Sequence, residues 1–404
     1  MKNLYQDHRF YLTDLGICCA LGSNKKEVAQ AAFHGTAQGM RFDKHYLQNE
    51  EGCYLGHISN ELLTLPSSLS HFQSRNNQML FTALSQIKKT INTSIETYGK
   101  NRIAVIIGSS TSGIEEGENA LFHYKTDGTF PENYPFNVQL IGDGADFIAT
   151  YLNLKNIAST ISTACSSSTK VFAHAAELIA MGICDAAIVG GADSLCKMTI
   201  HGFNSLSALS SERCNPFSQN RSGITIGEGA ALFLMEKTPS IVALASVGES
   251  ADAYAMTAPE PEGKGAEKAM TDALEKAGIT SDDIDYINLH GTGTLHNDAM
   301  ESKAVSRVFG DAIACSSTKA LTGHTLGAAG AIEAALCWLM LSNDYNPKHL
   351  YLPHLWDGEC AEDVTLRHFV KKEETFSKKK VHYALSNSFA FGGSNASLIL
   401  KKEA

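Results

Sequence analysis

Two strings in this chain are nearly identical: Ala164-Cys165-Ser166-Ser167-Ser168-Thr169-Lys170 and Ala314-Cys315-Ser316-Ser317-Thr318-Lys319. Each follows a short strand pattern and precedes a helix of small apolar residues. Upstream of each lies a continuous apolar run that reads as a buried parallel strand, Arg102–Ile107 in one case and Ile284–Leu289 in the other. The first breaks into Gly108-Ser109-Ser110-Thr111-Ser112-Gly113, the second into His290-Gly291-Thr292-Gly293-Thr294. Strand, glycine-rich break, strand, Ala-Cys-Ser-Ser loop and helix therefore occur twice. A chain of 404 residues is too long for one ordinary core. The repetition predicts an α/β architecture of two related halves, 1–238 and 239–404.

The best-defined unit is Ile161 to Gly191. Its strand ends at Ile161-Ser162-Thr163, and a helix runs from about Ser168 to Met181, stopped by Gly182. That helix is apolar almost all round and reads as buried, with His174 inside it as a satisfied core histidine. Cys165 stands at its mouth, where free N–H groups and the positive end of the helix dipole favour thiolate. A free cysteine is more often a small core residue. The polar, small-residue surroundings favour the nucleophile. Helices are also expected over 78–93, 138–152, 264–277, 298–309 and 327–341, with 39–65 and 201–221 irregular.

Composition excludes several classes. The 43 acidic against 33 basic residues leave a net charge of −10, unsuited to non-specific nucleic-acid binding. No apolar run approaches the roughly 20 residues of a membrane span. The ten cysteines lack metal-ligand spacing, and the N-terminus has no signal-peptide pattern, so reduced thiols in the cytoplasm are expected.

Ligands of such sheets gather at the carboxyl ends of strands. Four breaks there carry reactive or permissive groups: Cys165; His290; Lys319 with His324; and the turn Phe391-Gly392-Gly393. Singly, each has a bland account: a capping histidine, a turn glycine, a solvated lysine. Together, a thiol, two histidines and a lysine make a kit for acyl transfer.

These residues lie in strings that resemble the β-ketoacyl-acyl carrier protein synthases of the thiolase superfamily, in their two-histidine form. The strings are TACSSS (163–168), GGAD (190–193), HGTGT (290–294) with Asn297-Asp298 and Glu301 downstream, KALTGHTLGAAG (319–330) and NSFAFGGSN (387–395). The resemblance implies a five-layered αβαβα thiolase-like fold with two pseudo-symmetric halves, and a dimer. It implies that Cys165 accepts an acyl chain, and that the N–H groups of Cys165 and Phe391 form an oxyanion hole. His290 and His324 would assist decarboxylation of a malonyl thioester and stabilise the enolate, whose attack lengthens the chain by two carbons. Lys319 would order this site through Glu333, with Asn395 supporting it, and Phe391 would gate the entrance. No cofactor is implied, because phosphopantetheine arrives on the acyl carrier protein. A monovalent cation occurs in some members near positions matching Asn288, Glu333, Ser386 and Asn387.

Departures from the family pattern fall around the nucleophile. Ile224 replaces an aromatic residue, Ala390 a glycine of the gate, and Ser207 an arginine associated with carrier docking. Ile224 with Ser110 and Ser112 is expected to shape the acyl pocket. These changes point to a specialised enzyme of a polyketide-like pathway, such as one making aryl polyenes, over a housekeeping fatty-acid elongase. A non-catalytic chain-length-factor-like subunit ranks lower, because Cys165 and both histidines are intact. A homodimer and a heterodimer with such a factor both stay open. Arg75, Lys170, Lys197, Arg213 and Arg221 are the candidates for a basic carrier-docking patch.

Overall fold

The computed structural model describes residues 4–47, 52–376 and 381–403. Its main feature is a ten-stranded sheet. In chain order the strands are β1 (Phe10–Cys19), β2 (Ile103–Gly108), β3 (Ala158–Ile161), β4 (Ala186–Asp193) and β5 (Gly229–Glu236), followed by β6 (Val242–Ala251), β7 (Tyr286–Asn288), β8 (Cys315–Ser316), β9 (Tyr383–Phe389) and β10 (Ser394–Lys402). Spatially they run β8-β7-β9-β10-β6-β1-β5-β4-β2-β3. Outward from the centre the first five therefore read β1-β5-β4-β2-β3 and the second five β6-β10-β9-β7-β8, the same order shifted by five.

The strand senses repeat as well. β1/β5 and β5/β4 are antiparallel while β4/β2 and β2/β3 are parallel. The second set shows the same succession, β6/β10 and β10/β9 antiparallel, β9/β7 and β7/β8 parallel. A short antiparallel pairing of Phe10 and Tyr11 with Leu244 and Ala243 joins the two sets. The duplication read in the sequence is thus a duplication of topology.

Helices complete five layers, αβαβα. α1 (Arg75–Tyr98) and α2 (Asp143–Leu152) cover the outer face of the first set, and α4 (Lys264–Ala277) with α5 (Leu295–Phe309) that of the second. Between the sets lie α3 (Ser167–Ala180) and α6 (Ala329–Leu341), packed on each other and on strands of both. Every residue of α6 is buried, which explains its lack of an amphipathic pattern. Ala331 N–H donates to Ser168 Oγ at 2.9 Å. A methyl group on Gly330 would fall 1.9 Å from Thr169 Oγ1, so only glycine permits this approach.

Several expectations need correction. α3 is not apolar all round: Lys170, His174 and Glu177, spaced four and three apart, form a stripe open to solvent. His174 lies on it, 3.8 Å from Glu177 and 40% exposed, so it is a surface residue. A helix at Ile114–Asp127 escaped the sequence reading, and another occupies Lys197–Ser205 in a stretch expected to be irregular. Within 39–65, Met40–Asp43 and Cys53–Gly56 pair in a small separate sheet with Ile226–Gly227; residues 48–51 lie outside the described residues. Among the described residues no helix is long and apolar enough to cross a membrane. The ten cysteines are all free thiols, and only Cys360 is exposed.

Candidate active site

Cys165 sits past the end of β3, in the turn that opens α3. Ala164 precedes it with φ +51°, a left-handed conformation that a non-glycine residue adopts at a cost of about 1–2 kcal/mol. The turn is held by Ser167, whose N–H donates to the Ala164 carbonyl (3.0 Å) and whose Oγ accepts from Thr163 N–H (2.8 Å). Strain of this kind collects at functional positions. The backbone N–H groups of Phe391 and of Cys165 itself point at the sulfur.

His290 follows β7, on a loop clamped by two carboxylates of α5. Glu301 accepts from the N–H groups of His290 (2.8 Å) and Gly291 (2.7 Å). Asp298 accepts from Thr292 (3.1 Å) and Gly293 (3.2 Å) with one oxygen and from Phe217 N–H (2.7 Å) with the other. Both acids are fully buried, and burial pushes the Glu301 carboxyl up to about 7 against the backbone donors that pull it down. The sequence reading gave neither a role. Their i, i+3 spacing directly after HGTGT was the available signal, since it puts both carboxylates on one helix face.

His324 is placed by its own backbone. Its N–H donates to the Thr225 carbonyl (2.6 Å), and its carbonyl accepts from Gly227 N–H (3.0 Å). The ring thereby meets both other groups. His324 Nε2 lies 3.0 Å from Cys165 Sγ, and the two imidazoles stand edge to face with centroids 5.3 Å apart. One donor atom from each of Cys165, His290 and His324 falls within 4.8 Å of the others.

Lys319 lies behind this cluster, 1% exposed. Its Nζ donates to the His290 carbonyl and to Glu333, and lies 3.4 Å from His290 Nδ1. It therefore orients His290 without reaching the sulfur. Burial, then the Lys319 charge, holds both histidines well below their ordinary range, His324 adding to the effect on His290. Both imidazoles are neutral. Burial also pushes the Cys165 thiol up to about 11, outweighing Lys319 and the Phe391 N–H. Burial and the electropositive surroundings at the helix mouth thus act on this sulfur in opposite senses.

The cluster closes the inner end of a cavity of about 430 Å³. Ile224 lines it, as do Ser207, Phe389, Asn395 and Phe391, whose ring rests on Phe203 at a centroid distance of 5.6 Å. Asn395 Nδ2 donates to Asp252 (2.7 Å) and so ties the 391–395 turn to the cavity wall. Ser110 and Ser112 are not in this lining. Ser112 Oγ donates to the carbonyls of Val138 (2.8 Å) and Leu140 (2.9 Å), and Ser110 N–H to Asp193 (2.8 Å). Ala390 does not carry the left-handed backbone; Gly392 and Gly393 do, at φ +83° and +75°, so alanine is accommodated there without strain.

Of the four cation-associated residues, three carry buried polar atoms without a hydrogen-bond partner: Asn288 Oδ1, Glu333 Oε2 and Ser386 Oγ. Asn288 and Ser386 are direct partners across β7 and β9. Asn387 is occupied, donating to Glu301 (3.2 Å) and accepting from Ser397 (2.8 Å). Of the five basic candidates for carrier docking, Arg221 is removed from the surface and two others are paired. Arg75 grips the buried Glu228, Arg221 is itself buried against Asp363 (2.7 Å), and Lys170 pairs with Glu249 (3.2 Å). Lys197 and Arg213 are exposed.

Comparison with known proteins places this geometry in context. Residues 67–240 match the family described as "Beta-ketoacyl synthase, N-terminal domain" and residues 241–352 its C-terminal domain. The 3-oxoacyl-[acyl-carrier-protein] synthase 2 of Staphylococcus aureus (strain COL) is 32% identical over 98% of this chain and 99% of that protein. Among solved structures, the ketosynthase ApeO in complex with its chain length factor ApeC from Xenorhabdus doucetiae superposes with a TM-score of 0.90 at 44% identity, covering 98% of this chain and 99% of the other. The ishigamide ketosynthase/chain length factor gives 0.86 at 25% identity, covering 98% and 100%.

Proposed function

The chain belongs to the β-ketoacyl synthases, enzymes of decarboxylative condensation, and from that premise we propose how its own residues carry the reaction. The carrying observation is the 3.0 Å approach of Cys165 Sγ to His324 Nε2, with His290 alongside, at the closed end of the cavity. In the first half-reaction the Cys165 sulfur attacks the carbonyl carbon of an acyl thioester. The oxyanion is held by the Cys165 and Phe391 N–H groups, and the thiol proton passes through His324 Nε2 to the departing pantetheine sulfur. In the second, a malonyl thioester bound in the same cavity loses CO2. The enolate oxygen accepts hydrogen bonds from neutral His290 and from His324, whose remaining ring proton has shifted from Nδ1 to Nε2 after the first half-reaction; both supply donors without a buried charge. The enolate carbon bonds to the acyl carbonyl, Cys165 sulfur leaves, and the product is a β-ketoacyl thioester two carbons longer. Lys319 and Glu333 orient His290 from behind, Asn395 braces the turn at Phe391, and Phe391 gates the entrance.

The substrate arrives on phosphopantetheine of an acyl carrier protein, and the chain needs no cofactor of its own. Asn288, Glu333 and Ser386 fit a monovalent cation, since each offers a buried oxygen that nothing in the protein satisfies; such an ion would brace the Lys319 side of the site. The halves divide at 238/239. Ile224, beside Cys165 in the cavity, selects the acyl chain. We place the enzyme in the cytoplasm, where its free thiols stay reduced.

Identity to ApeO, solved with a chain length factor, exceeds that to the synthase 2 relative. This supports a specialised polyketide-type synthase, such as one for aryl polyenes, working as a heterodimer with a chain-length-factor-like subunit. Intact-protein mass after mixing with acyl- and malonyl-carrier protein tests the reading. An adduct on wild type and none on Cys165→Ala is expected, followed by a product two carbons longer. An adduct only after adding the partner subunit favours the heterodimer, and its absence under both conditions overturns the catalytic assignment. Equal extension rates on saturated and polyunsaturated chains would overturn the specialisation.

A further inference from the structure

Cys165, His290 and His324, brought together for the condensation, also make a compact metal-donor set. One thiol sulfur and two imidazole nitrogens, all within 4.8 Å of one another and all buried, line one cavity. Tetrahedral zinc bonds of about 2.3 Å to sulfur and about 2.0–2.1 Å to nitrogen put neighbouring ligand atoms about 3.3–3.6 Å apart. Cys165 and His324 stand at 3.0 Å and no pair of the three donors lies beyond 4.8 Å, so reaching those spacings asks for shifts of about an ångström. We propose that the unacylated Cys165–His290–His324 cluster captures a thiophilic divalent cation, Zn²⁺ in the first instance, and that capture reversibly silences the nucleophile.

The chemistry favours this ion. A Cys-His-His set with one water is a three-ligand, open zinc site, and sulfur and imidazole donors reject the oxygen-seeking Mg²⁺ and Ca²⁺. His290 Nδ1 faces the Lys319 ammonium, so zinc must take Nε2, and the ring proton must then move to Nδ1 with loss of that contact. The Lys319 charge is answered by Glu333. On binding, the thiol proton leaves to solvent, the S–H bond is replaced by S–Zn, and no oxidant or reductant takes part. Acylation removes the thiolate donor, since a thioester sulfur is a poor zinc ligand. The acylated enzyme would therefore refuse the metal, which makes the site a brake on the idle enzyme alone. Silencing rests on Cys165 being the nucleophile; capture does not.

The test is titration of chelator-treated protein with Co²⁺, whose thiolate bond absorbs in the near ultraviolet and whose tetrahedral site absorbs in the visible. One equivalent should give both bands in wild type and in Cys360→Ser, which lacks the exposed thiol. Cys165→Ala should lose the near-ultraviolet band, and His324→Ala should bind at least ~100-fold more weakly. Excess Zn²⁺ should bleach the bands, while Mg²⁺ should not. Prior acylation by a small acyl thioester should prevent them. Bands that persist in Cys165→Ala, or that vanish in Cys360→Ser, would overturn the proposal, as would their absence from wild type. Should the protein prove unable to form an acyl adduct, the titration still reads metal capture and separates the two failures.

Discussion

The two Ala-Cys-Ser-Ser strings begin alike and end in different chemistry. Cys165 stands beyond the end of its strand, in a turn strained at Ala164, and reaches the cavity and His324. Cys315 lies inside β8, paired with Ile287, fully buried in an apolar cluster, with burial pushing its thiol far up. The lysines diverge in the opposite sense. Lys170 lies on the solvent stripe of α3 and pairs with Glu249 at 3.2 Å, whereas Lys319 is buried against Glu333 and His290. The first string supplies the cavity thiol, and the second the buried lysine that contacts His290. Duplication supplied two equivalent loops at facing strand ends, and each kept a different reactive residue.

Exchanging the cysteines' fates is the sharpest way to break this contrast. Cys165→Ala should lower condensation by at least ~10⁴-fold, read as β-ketoacyl product formed. Cys315→Ala should leave activity near wild type and cost about 1–2 kcal/mol of stability, read by urea unfolding. Comparable activity losses in both would dissolve the distinction.

The lysines come next. Lys319→Met strands the buried Glu333 carboxylate and should cost about 3–5 kcal/mol. Lys170→Met removes a partly exposed pair and should cost no more than ~1 kcal/mol. Denaturant midpoints decide, and similar costs would mean that the Lys319 pair is better hydrated than its burial shows.

The β2 and β7 loops are clamped from different places: Asp193 of β4 holds the first through the N–H groups of Ser110 and Thr111, and Glu301 and Asp298 of α5 hold the second. Glu301→Gln keeps the size but replaces one acceptor oxygen by a donor facing backbone N–H groups. Displacement of His290 should lower kcat by about 100-fold with little change in KM. A rise in KM at unchanged kcat would assign Glu301 to substrate binding.

The smallest expected effect is in pH. Both catalytic-loop histidines titrate well below the ordinary range when folded. The stability gained by keeping them neutral is fully present above about pH 6.5. It is lost as pH falls below that value towards the folded-state pKa, because the unfolded chain then binds more protons. The urea midpoint should decline between pH 6.5 and 5, and less steeply in His324→Asn. Identical slopes would show that other groups govern acid sensitivity.

Much of this was legible beforehand because it is local. The Cys165 turn, the HGTGT break and the 319–330 string announce themselves by residue type and order, and the α/β class follows from buried strands alternating with small-residue helices. The misreadings share a cause. His174 was assigned to the core because α3 looks apolar by composition, yet three polar residues at helical spacing suffice to open one face. Arg221 reads as a surface residue because arginine usually lies there, whereas its side chain is buried against the distant Asp363.

The sequence by itself determined the duplicated architecture, the reactive residue types and their positions at strand ends, since hydrophobic periodicity and turn chemistry act over a few residues. Only the tertiary structure decided which of two equivalent cysteines meets a histidine, and that the meeting sulfur is buried. It also decided which lysine is buried with a counter-ion and which carboxylates clamp the histidine loop. The meeting of Cys165 with His324 joins residues 159 positions apart, and no local pattern encodes it; the Lys319–Glu333 and Glu301–His290 contacts are nearer in sequence, and there desolvation by the surrounding fold sets the outcome.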